Sequence, residues 1–230
     1  MLVLSFLSFL LATQAFSAPS HNKHSCQVPA SALHLPQNQS QLISPSLPPN
    51  YVALGVGVQN YTCSASGNYT SSIGAVAELF DISCLYKSSE FSKIQDDAFK
   101  IWSQCPNNNP SESTLISRLH HNWGLDVLGQ HYFIVNPAGG LSPKFDFTSS
   151  GSTAGNVNAF VVTAKVGDIP APTGHQDVDW LRLNGVSGKL ASQVFRVFTK
   201  AGQPPASCSP GSPPISVKYT AQYWFYGSSL

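Results

Sequence analysis

The second half of the chain is divided into short apolar runs by stretches rich in glycine and proline. After Gly129 come the β-branched and aromatic runs HYFIV, KFDF, NAFVVTAKV, VDWLRL, QVFRVFT, ISVKYT and AQYWFY. Such residues favour strands, and the Gly and Pro clusters between them favour turns. Short strands at this spacing are typical of a sandwich or a barrel. The alternation of strands and helices that a parallel sheet requires is missing.

The earlier part of the chain adds strands and a helical section. In YVALGVGVQNYTC, valine and leucine alternate with alanine and glycine, which is the period of a strand, and GAVAELFDISCLY is most simply a second strand. SSEFSKIQDDAFKIWSQC, with Ser88 or Ser89 as its cap, and STLISRLHHNW carry apolar residues at helical spacing. We therefore predict one mainly β domain, a single-domain sandwich or barrel, over residues 51–230, with a short helical insertion at about residues 86–128.

The first residues resemble a secretory signal peptide. MLVLSFLSFLLATQAFSAPS is an apolar run that ends in small residues, with a cleavage signature at Ala15 to Ser17. It is too short and too early for a membrane-spanning helix. Residues 18–50, rich in Ser, Pro, Gln and Asn, form a lead-in to the fold. With residues 1–17 removed, we expect a secreted protein, outside the cell or in the cell wall.

Sequons and cysteines agree with export. N-glycosylation sequons begin at Asn38, Asn60 and Asn68. In an oxidising compartment, five cysteines should form two disulfides and leave one thiol, with the pairing open. The candidates are Cys26, Cys63, Cys84, Cys105 and Cys208. Their spacing matches no zinc site.

Charge and glycine pattern exclude several partners. Charged residues make up 10% of the chain, the formal net charge is +1, and no basic stripe occurs. Nucleic acids and anionic membranes are bound by clustered Lys and Arg, so we expect neither as a partner. GVGVQN lacks the third glycine of the dinucleotide fingerprint and has Asn60 of a sequon in its place. We therefore expect no NAD site.

Several strings together resemble a known family: VALGVGVQNYTC, LFDISC, GQHYF, DVDWLRL, RVFTKAGQPPASC and VKYTAQYWFY. The family consists of secreted proteins of unknown function, common in filamentous fungi and with shorter bacterial relatives. The resemblance runs from about Tyr51 to Tyr226 and is interrupted between about Tyr86 and Leu128. It implies no catalytic residues, although many members carry an automated malate dehydrogenase label.

Malate oxidation does not fit this sequence. The reaction needs a nicotinamide site, an arginine fork for two carboxylates and a His–Asp pair that takes the hydroxyl proton. The chain has no phosphate-cradling glycine loop and is expected in a compartment poor in NAD. We expect no malate dehydrogenase activity, and turnover of oxaloacetate with NADH that scales with protein concentration would contradict this.

Two polar residues in the β runs are candidates for catalysis. In GQHYF, a strand places His131 and Phe133 on one face and Tyr132 on the other, so His131 could reach a cavity as a ligand or base. The alternative is a histidine hydrogen-bonded beside aromatic core residues. Asp146, in FDF, could join His131 across neighbouring strands.

GHQDVDW is a candidate metal site. His175, Asp177 and Asp179 share strand parity, and carboxylates and imidazole bind hard or borderline cations. The alternative is a solvated loop that leads into a strand. The chain has no G-x-S-x-G elbow and no obvious carboxylate pair for glycoside hydrolysis. These gaps disfavour an enzyme.

Aromatic residues late in the sequence are candidates for sugar binding. Flat rings on a β face stack on the apolar faces of sugars. In YTAQYWFY, Tyr223 and Phe225 lie on the face opposite to Trp224 and Tyr226, so at most one pair can be exposed. Trp180 is a further candidate. The alternative is that these rings fill the core.

The favoured function is a secreted, disulfide-bonded and glycosylated binding protein that contacts polysaccharide through the late aromatic residues. The alternative is a metal-dependent secreted enzyme that uses one of the two His and Asp candidate sets. A third function is a secreted effector that binds a host protein, with the helical insertion as its variable surface.

Overall fold

The structure is a computed structural model that describes residues 26–105 and 112–230. The predicted signal peptide and the first part of the lead-in lie outside these ranges. The strands found in them are β1 Tyr51–Cys63, β2 Tyr69–Asp81, β3 Val127–Val135, β4 Leu141–Asp146, β5 Phe160–Ile169, β6 Trp180–Gly188, β7 Gln193–Ala201 and β8 Ile215–Tyr226. The α-helices are α1 Ile94–Gln104 and α2 Glu112–Trp123.

The strands form a closed antiparallel barrel in which each strand pairs with its neighbours in sequence and β8 pairs with β1. The mainly β fold with a short helical insertion is therefore confirmed. We call the end at which β1 starts the bottom and the end at which it finishes, at Cys63, the top. ISVKYT and AQYWFY, predicted as separate runs, form the single strand β8. Ala221, at their junction, pairs with Gly55 of β1.

The inner core lies inside the barrel and consists of buried side chains that face its axis, including Phe145, Tyr223 and Phe225. Small residues on β1 make room for large ones on β8. A Cβ atom on Gly55 would lie 2.5 Å from the Tyr223 ring, and one on Gly57 would lie 2.0 Å from the backbone oxygen of Val76. The glycines of GVGVQN therefore serve close packing, as the strand reading of this segment predicts.

The outer core lies between the outward faces of β1, β2, β7 and β8 and a covering layer. The layer consists of α1, α2 and the described part of the lead-in, which contributes Leu33 and Leu42. The Trp224 ring is fully buried there and meets the Phe91 ring edge to face at 5.8 Å. The helical insertion therefore covers barrel wall that would otherwise face water.

Helix α1 begins later than the sequence predicts. The sequence predicts Ser88 or Ser89 as its cap, but the helix starts at Ile94 with Lys93 as its N-cap. The preceding residues form turns, in which Lys93 N donates to Glu90 O at 3.1 Å. These turns let Phe91 reach the outer core ahead of the helix. In the described part of the chain, no helix is long and apolar enough to cross a membrane.

The cysteines form two disulfides and leave one thiol, as predicted. Cys26–Cys84 ties the lead-in to the turn after β2. Cys63–Cys208 ties the top of β1 to the loop between β7 and β8. Cys105 is the free cysteine and is buried at the end of α1.

Candidate functional site

His131 lies inside the barrel. Its ring stacks on Phe145, the residue opposite to it on β4, with ring centroids 4.2 Å apart. Its Nδ1 lies 2.9 Å from the carbonyl oxygen of Lys144, and the residue is 3% exposed. Burial lowers the pKa of His131 to about 4, so the ring is neutral at neutral pH. His131 thus occupies the core position that the alternative interpretation describes.

Asp146 does not meet His131. The register of β3 and β4 pairs Asp146 with Gln130 and His131 with Phe145. Opposite residues of a pair share a face, and neighbours along a strand do not, so Asp146 points outward and His131 inward. The predicted contact between the two across neighbouring strands is therefore not formed.

Asp146 instead organises a cluster on the outer wall. Its carboxylate accepts hydrogen bonds from Lys144 Nζ at 2.8 Å, from the Tyr132 hydroxyl at 2.8 Å and from Thr148 N at 3.0 Å. Burial acts to raise the pKa of Asp146, but the bonds from Lys144, Thr148 and Tyr132 outweigh it and hold that pKa well below its ordinary value. With this many donors engaged, Asp146 is built as a structural acceptor.

Arg196 is the functional candidate that sequence reasoning missed. In QVFRVFT it has the strand parity of Val194, which lies in the inner core, and a charge at a core position was the available signal. Arg196 pairs with Tyr223 across β7 and β8. Its Nε and Nη2 donate to the carbonyl oxygen of Asp179 at 3.1 and 2.9 Å. It is partly exposed, and it also hydrogen-bonds to Tyr223.

Arg196 is the centre of a polar group inside the barrel that we call the lumen cluster: Tyr61, His131, Arg196, Tyr219 and Tyr223. The hydroxyls of Tyr219 and Tyr223 lie 2.9 Å apart, and the Tyr61 hydroxyl donates to the carbonyl oxygen of Gly202 at 2.8 Å. Burial raises the pKa of both Tyr219 and Tyr223, while the charge of Arg196 opposes that rise. These phenols are therefore neutral hydrogen-bonding groups around one cation.

The three residues of GHQDVDW play separate roles. His175 is exposed, and Asp177 is 1% exposed, with its carboxylate accepting from Ala201 N and the Thr173 hydroxyl. Asp179 contributes its backbone oxygen to Arg196. The segment is a loop that leads into β6, which begins at Trp180. Among the residues that the structure describes, no group of three or more His, Cys, Asp or Glu could hold a metal ion.

The late aromatic residues are buried. Trp180, Trp224 and Tyr226 belong to the outer core, and Tyr223 belongs to the inner core. Their exposed fractions are at most 5%. The predicted opposite orientation of Tyr223 and Trp224 is present, but helix and lead-in cover the outward face. In this structure none of these rings offers a face to a sugar.

An open groove of about 980 Å³, which we call the top groove, lies at the top of the barrel. Its walls come from the β1–β2 turn, α1, the loop before β6, the loop after β7 and the start of β8. Two half-buried rings, Tyr69 and Phe99, line it together with the polar side chains of His175, Gln176 and Gln203. The groove therefore combines aromatic surface with amide and imidazole groups.

The sequons differ in accessibility. Asn38 and Asn68 are exposed, and Asn68 lies at the top groove. Asn60 sits in β1, where its Nδ2 donates to the carbonyl oxygen of Gly74 at 3.0 Å and its Oδ1 accepts from the Ser216 hydroxyl. A glycan on Asn60 would compete with the first of these bonds, which joins β1 to β2, whereas the Nδ2 of Asn68 donates within its own exposed turn, to the Ser66 hydroxyl at 3.3 Å.

Comparison with known proteins gives one match. Residues 44–227 match the model of a family described as "Protein of unknown function (DUF3455)". No curated protein and no solved structure matches the chain. The matching description names no activity, so the top groove and the lumen cluster are the features that bear on function.

Proposed function

The chain belongs to the DUF3455 family of proteins of unknown function. We propose that it is an exported binding protein that binds polysaccharide in its top groove. The observation that carries this proposal is the pairing of the Tyr69 and Phe99 rings with polar side chains in one open groove. Sugars present apolar faces to rings and hydroxyls to amides, so such a lining suits them.

Three further features support the proposal. The low charge of the chain suits a neutral ligand, because an ionic ligand would be attracted by clustered charges of the opposite sign. Two disulfides suit an oxidising compartment. An open groove also suits a polymer, because a long chain can lie in the groove and extend beyond both of its ends.

The other functions have less support. A metal-dependent enzyme would need the His and Asp candidates to converge, but His131 faces the barrel axis, Asp146 faces outward and His175 lies at the top groove. An effector that binds a host protein would use exposed insertion surface, and nothing in the chemistry of α1 or α2 favours it over the groove.

The test is depletion of purified protein from solution by insoluble chitin, β-glucan, cellulose and xylan, with release of soluble sugar followed in the same tubes. We expect binding to at least one polymer without release. Phe99→Ala should weaken that binding about tenfold, the equivalent of one stacking contact. His175→Ala should weaken it less.

Matched variants outside the groove control for general damage. Phe160→Ala removes another half-buried ring, and His34→Ala removes another exposed histidine. Both should bind as the parent does. Absence of binding to all four polymers would overturn the proposal, and so would equal losses of binding in the groove and control variants. Release of soluble sugar would instead favour the secreted enzyme.

A further inference from the structure

The Arg196 guanidinium lies in the neighbourhood of the Asp179 carboxylate, since both charges act on the pKa of Tyr61, but the two form no ion pair. None of the ion pairs found among the described residues includes Arg196. Its two bonds to Asp179 go to a backbone oxygen, which carries no full charge. Arg196 is partly exposed and keeps contact with water, and an anion that replaced this water would gain charge-assisted hydrogen bonds from the guanidinium.

The groups around Arg196 are mainly hydrogen-bond donors. An arginine has five N–H donors, two of which go to Asp179 here. The hydroxyls of Tyr219 and Tyr223 bond to each other, which uses one of their two protons and leaves the other for an acceptor.

The top of the barrel gives access to this region. The ladder between β4 and β5 runs only from Lys144 to Asp146 on β4, near the bottom, so the two strands are not paired along the upper part of β4. Phe133 and Leu181 pack against the inner core and are nevertheless partly exposed. The inner core therefore has partly exposed apolar surface at the top, at Phe133 and Leu181.

We propose that the top of the barrel interior binds a small organic carboxylate with an apolar body, held by Arg196. The carboxylate would accept from the guanidinium, and the apolar body would pack toward Phe133 and Leu181. Arginine is suited to this role because its planar fork matches the two oxygens of a carboxylate. The site is distinct from the top groove and does not depend on polysaccharide binding.

The experiment titrates purified protein with sodium acetate, isobutyrate and benzoate and follows the unfolding temperature, with sodium chloride at equal ionic strength as the reference. A ligand that binds only the folded state raises that temperature as its concentration increases. We expect a rise with the carboxylates above chloride, in the order benzoate, isobutyrate, acetate. Calorimetric titration with benzoate gives the dissociation constant.

Two variants locate the site. Arg196→Gln should raise the dissociation constant of benzoate at least tenfold, whereas Arg182→Gln, which changes an arginine on the outward face of the adjacent strand, should leave it unchanged. Arg196→Lys keeps the charge without the fork and should also weaken binding. It serves as the test if Arg196→Gln does not fold.

Sodium phosphate separates a carboxylate site from a general anion site. A response to phosphate equal to that of benzoate would overturn the carboxylate assignment. Equal responses in the parent and both Arg196 variants, or no response above chloride, would overturn the site as a whole.

Discussion

The inner and outer cores lie on opposite faces of the same strands and achieve close packing in different ways. On the inward face of β1, glycine and alanine bring the backbone against neighbours, so that a Cβ on Gly57 would lie 2.6 Å from the Cα of Ala77. On the outward face of β1, Val52, Leu54 and Val56 meet side chains of α1, α2 and the lead-in. Backbone atoms limit the size of the side chains in the inner core, whereas the outer core depends on side chains from a separate layer.

This difference teaches where the fold tolerates change. A backbone contact cannot relax by changing a rotamer, so added volume in the inner core forces strands apart. A side-chain layer can lose or shift members while the strands beneath it stay paired. The two cores should therefore fail separately, and the following changes test that expectation.

The largest effect is expected from Gly57→Val. The new side chain would collide with the backbone of Val76 and Ala77, so we expect a loss of more than about 4 kcal/mol in the free energy of unfolding, which would leave little folded protein. Gly140→Val is the matched control, because the nearest heavy atom to its Cβ is a side-chain atom of Asn136 at 3.3 Å. Denaturant unfolding of both proteins is the measurement. A folded Gly57→Val protein would show that the inner core is softer than its contacts imply.

An intermediate effect is expected from removal of the Cys26–Cys84 bridge by serine at both positions. This bridge holds the lead-in over the outer core, and loss of a native disulfide typically costs about 2 to 5 kcal/mol. Cys105→Ser, which removes a thiol that forms no bridge, should cost less.

Tryptophan fluorescence reports which core fails in this double variant. All four tryptophans, Trp102, Trp123, Trp180 and Trp224, lie in the outer core or pack against it. We expect their emission to shift at lower denaturant than the far-ultraviolet dichroism of the barrel strands. Coincident transitions would contradict separate failure of the two cores.

The smallest effect is expected from acid acting on His131. Its pKa is about 4 when folded and 6.5 as an ordinary histidine, so the unfolded chain binds a proton more readily. The contribution of neutral His131 to the free energy of unfolding should be fully present well above pH 6.5 and should fall as the pH is lowered from 6.5 toward 4. At pH 5 the loss amounts to roughly 2 kcal/mol.

The matched variants for this prediction are His131→Phe and His175→Ala. His131→Phe should flatten the dependence of unfolding free energy on pH between 6.5 and 5, whereas removal of the exposed His175 should leave it as in the parent. Unfolding by denaturant at several pH values measures both. An unchanged slope in His131→Phe would assign the acid sensitivity to other groups.

The sequence predicts the faces of the strands better than their surroundings. Alternation correctly places Tyr223 and Trp224 on opposite faces, and likewise His131 and Tyr132, because neighbours along a strand point to opposite sides. It does not tell which face the helical insertion will cover, and for that reason the buried Trp180 and Tyr226 looked like candidates for sugar binding. That information lies in contacts between distant parts of the chain.

Register is the second piece of information that the sequence lacks. Asp146 and His131 looked like possible partners until the pairing of β3 with β4 set them on opposite faces. Arg196, by contrast, was readable as a charge at a core position of QVFRVFT. The top groove could not be predicted from the sequence, since it joins loops that are far apart in the chain.

The closure of the barrel by β8 against β1 has a consequence for synthesis. Of the strands in the described residues, β1 is made first and β8 last, so one edge of β1 has to wait for its partner until β8 has been translated. During that time β1 exposes apolar side chains and unpaired backbone, which are features that attract chaperones. Closure of the barrel therefore cannot precede the synthesis of β8, and until then the earlier strands form an open sheet at most.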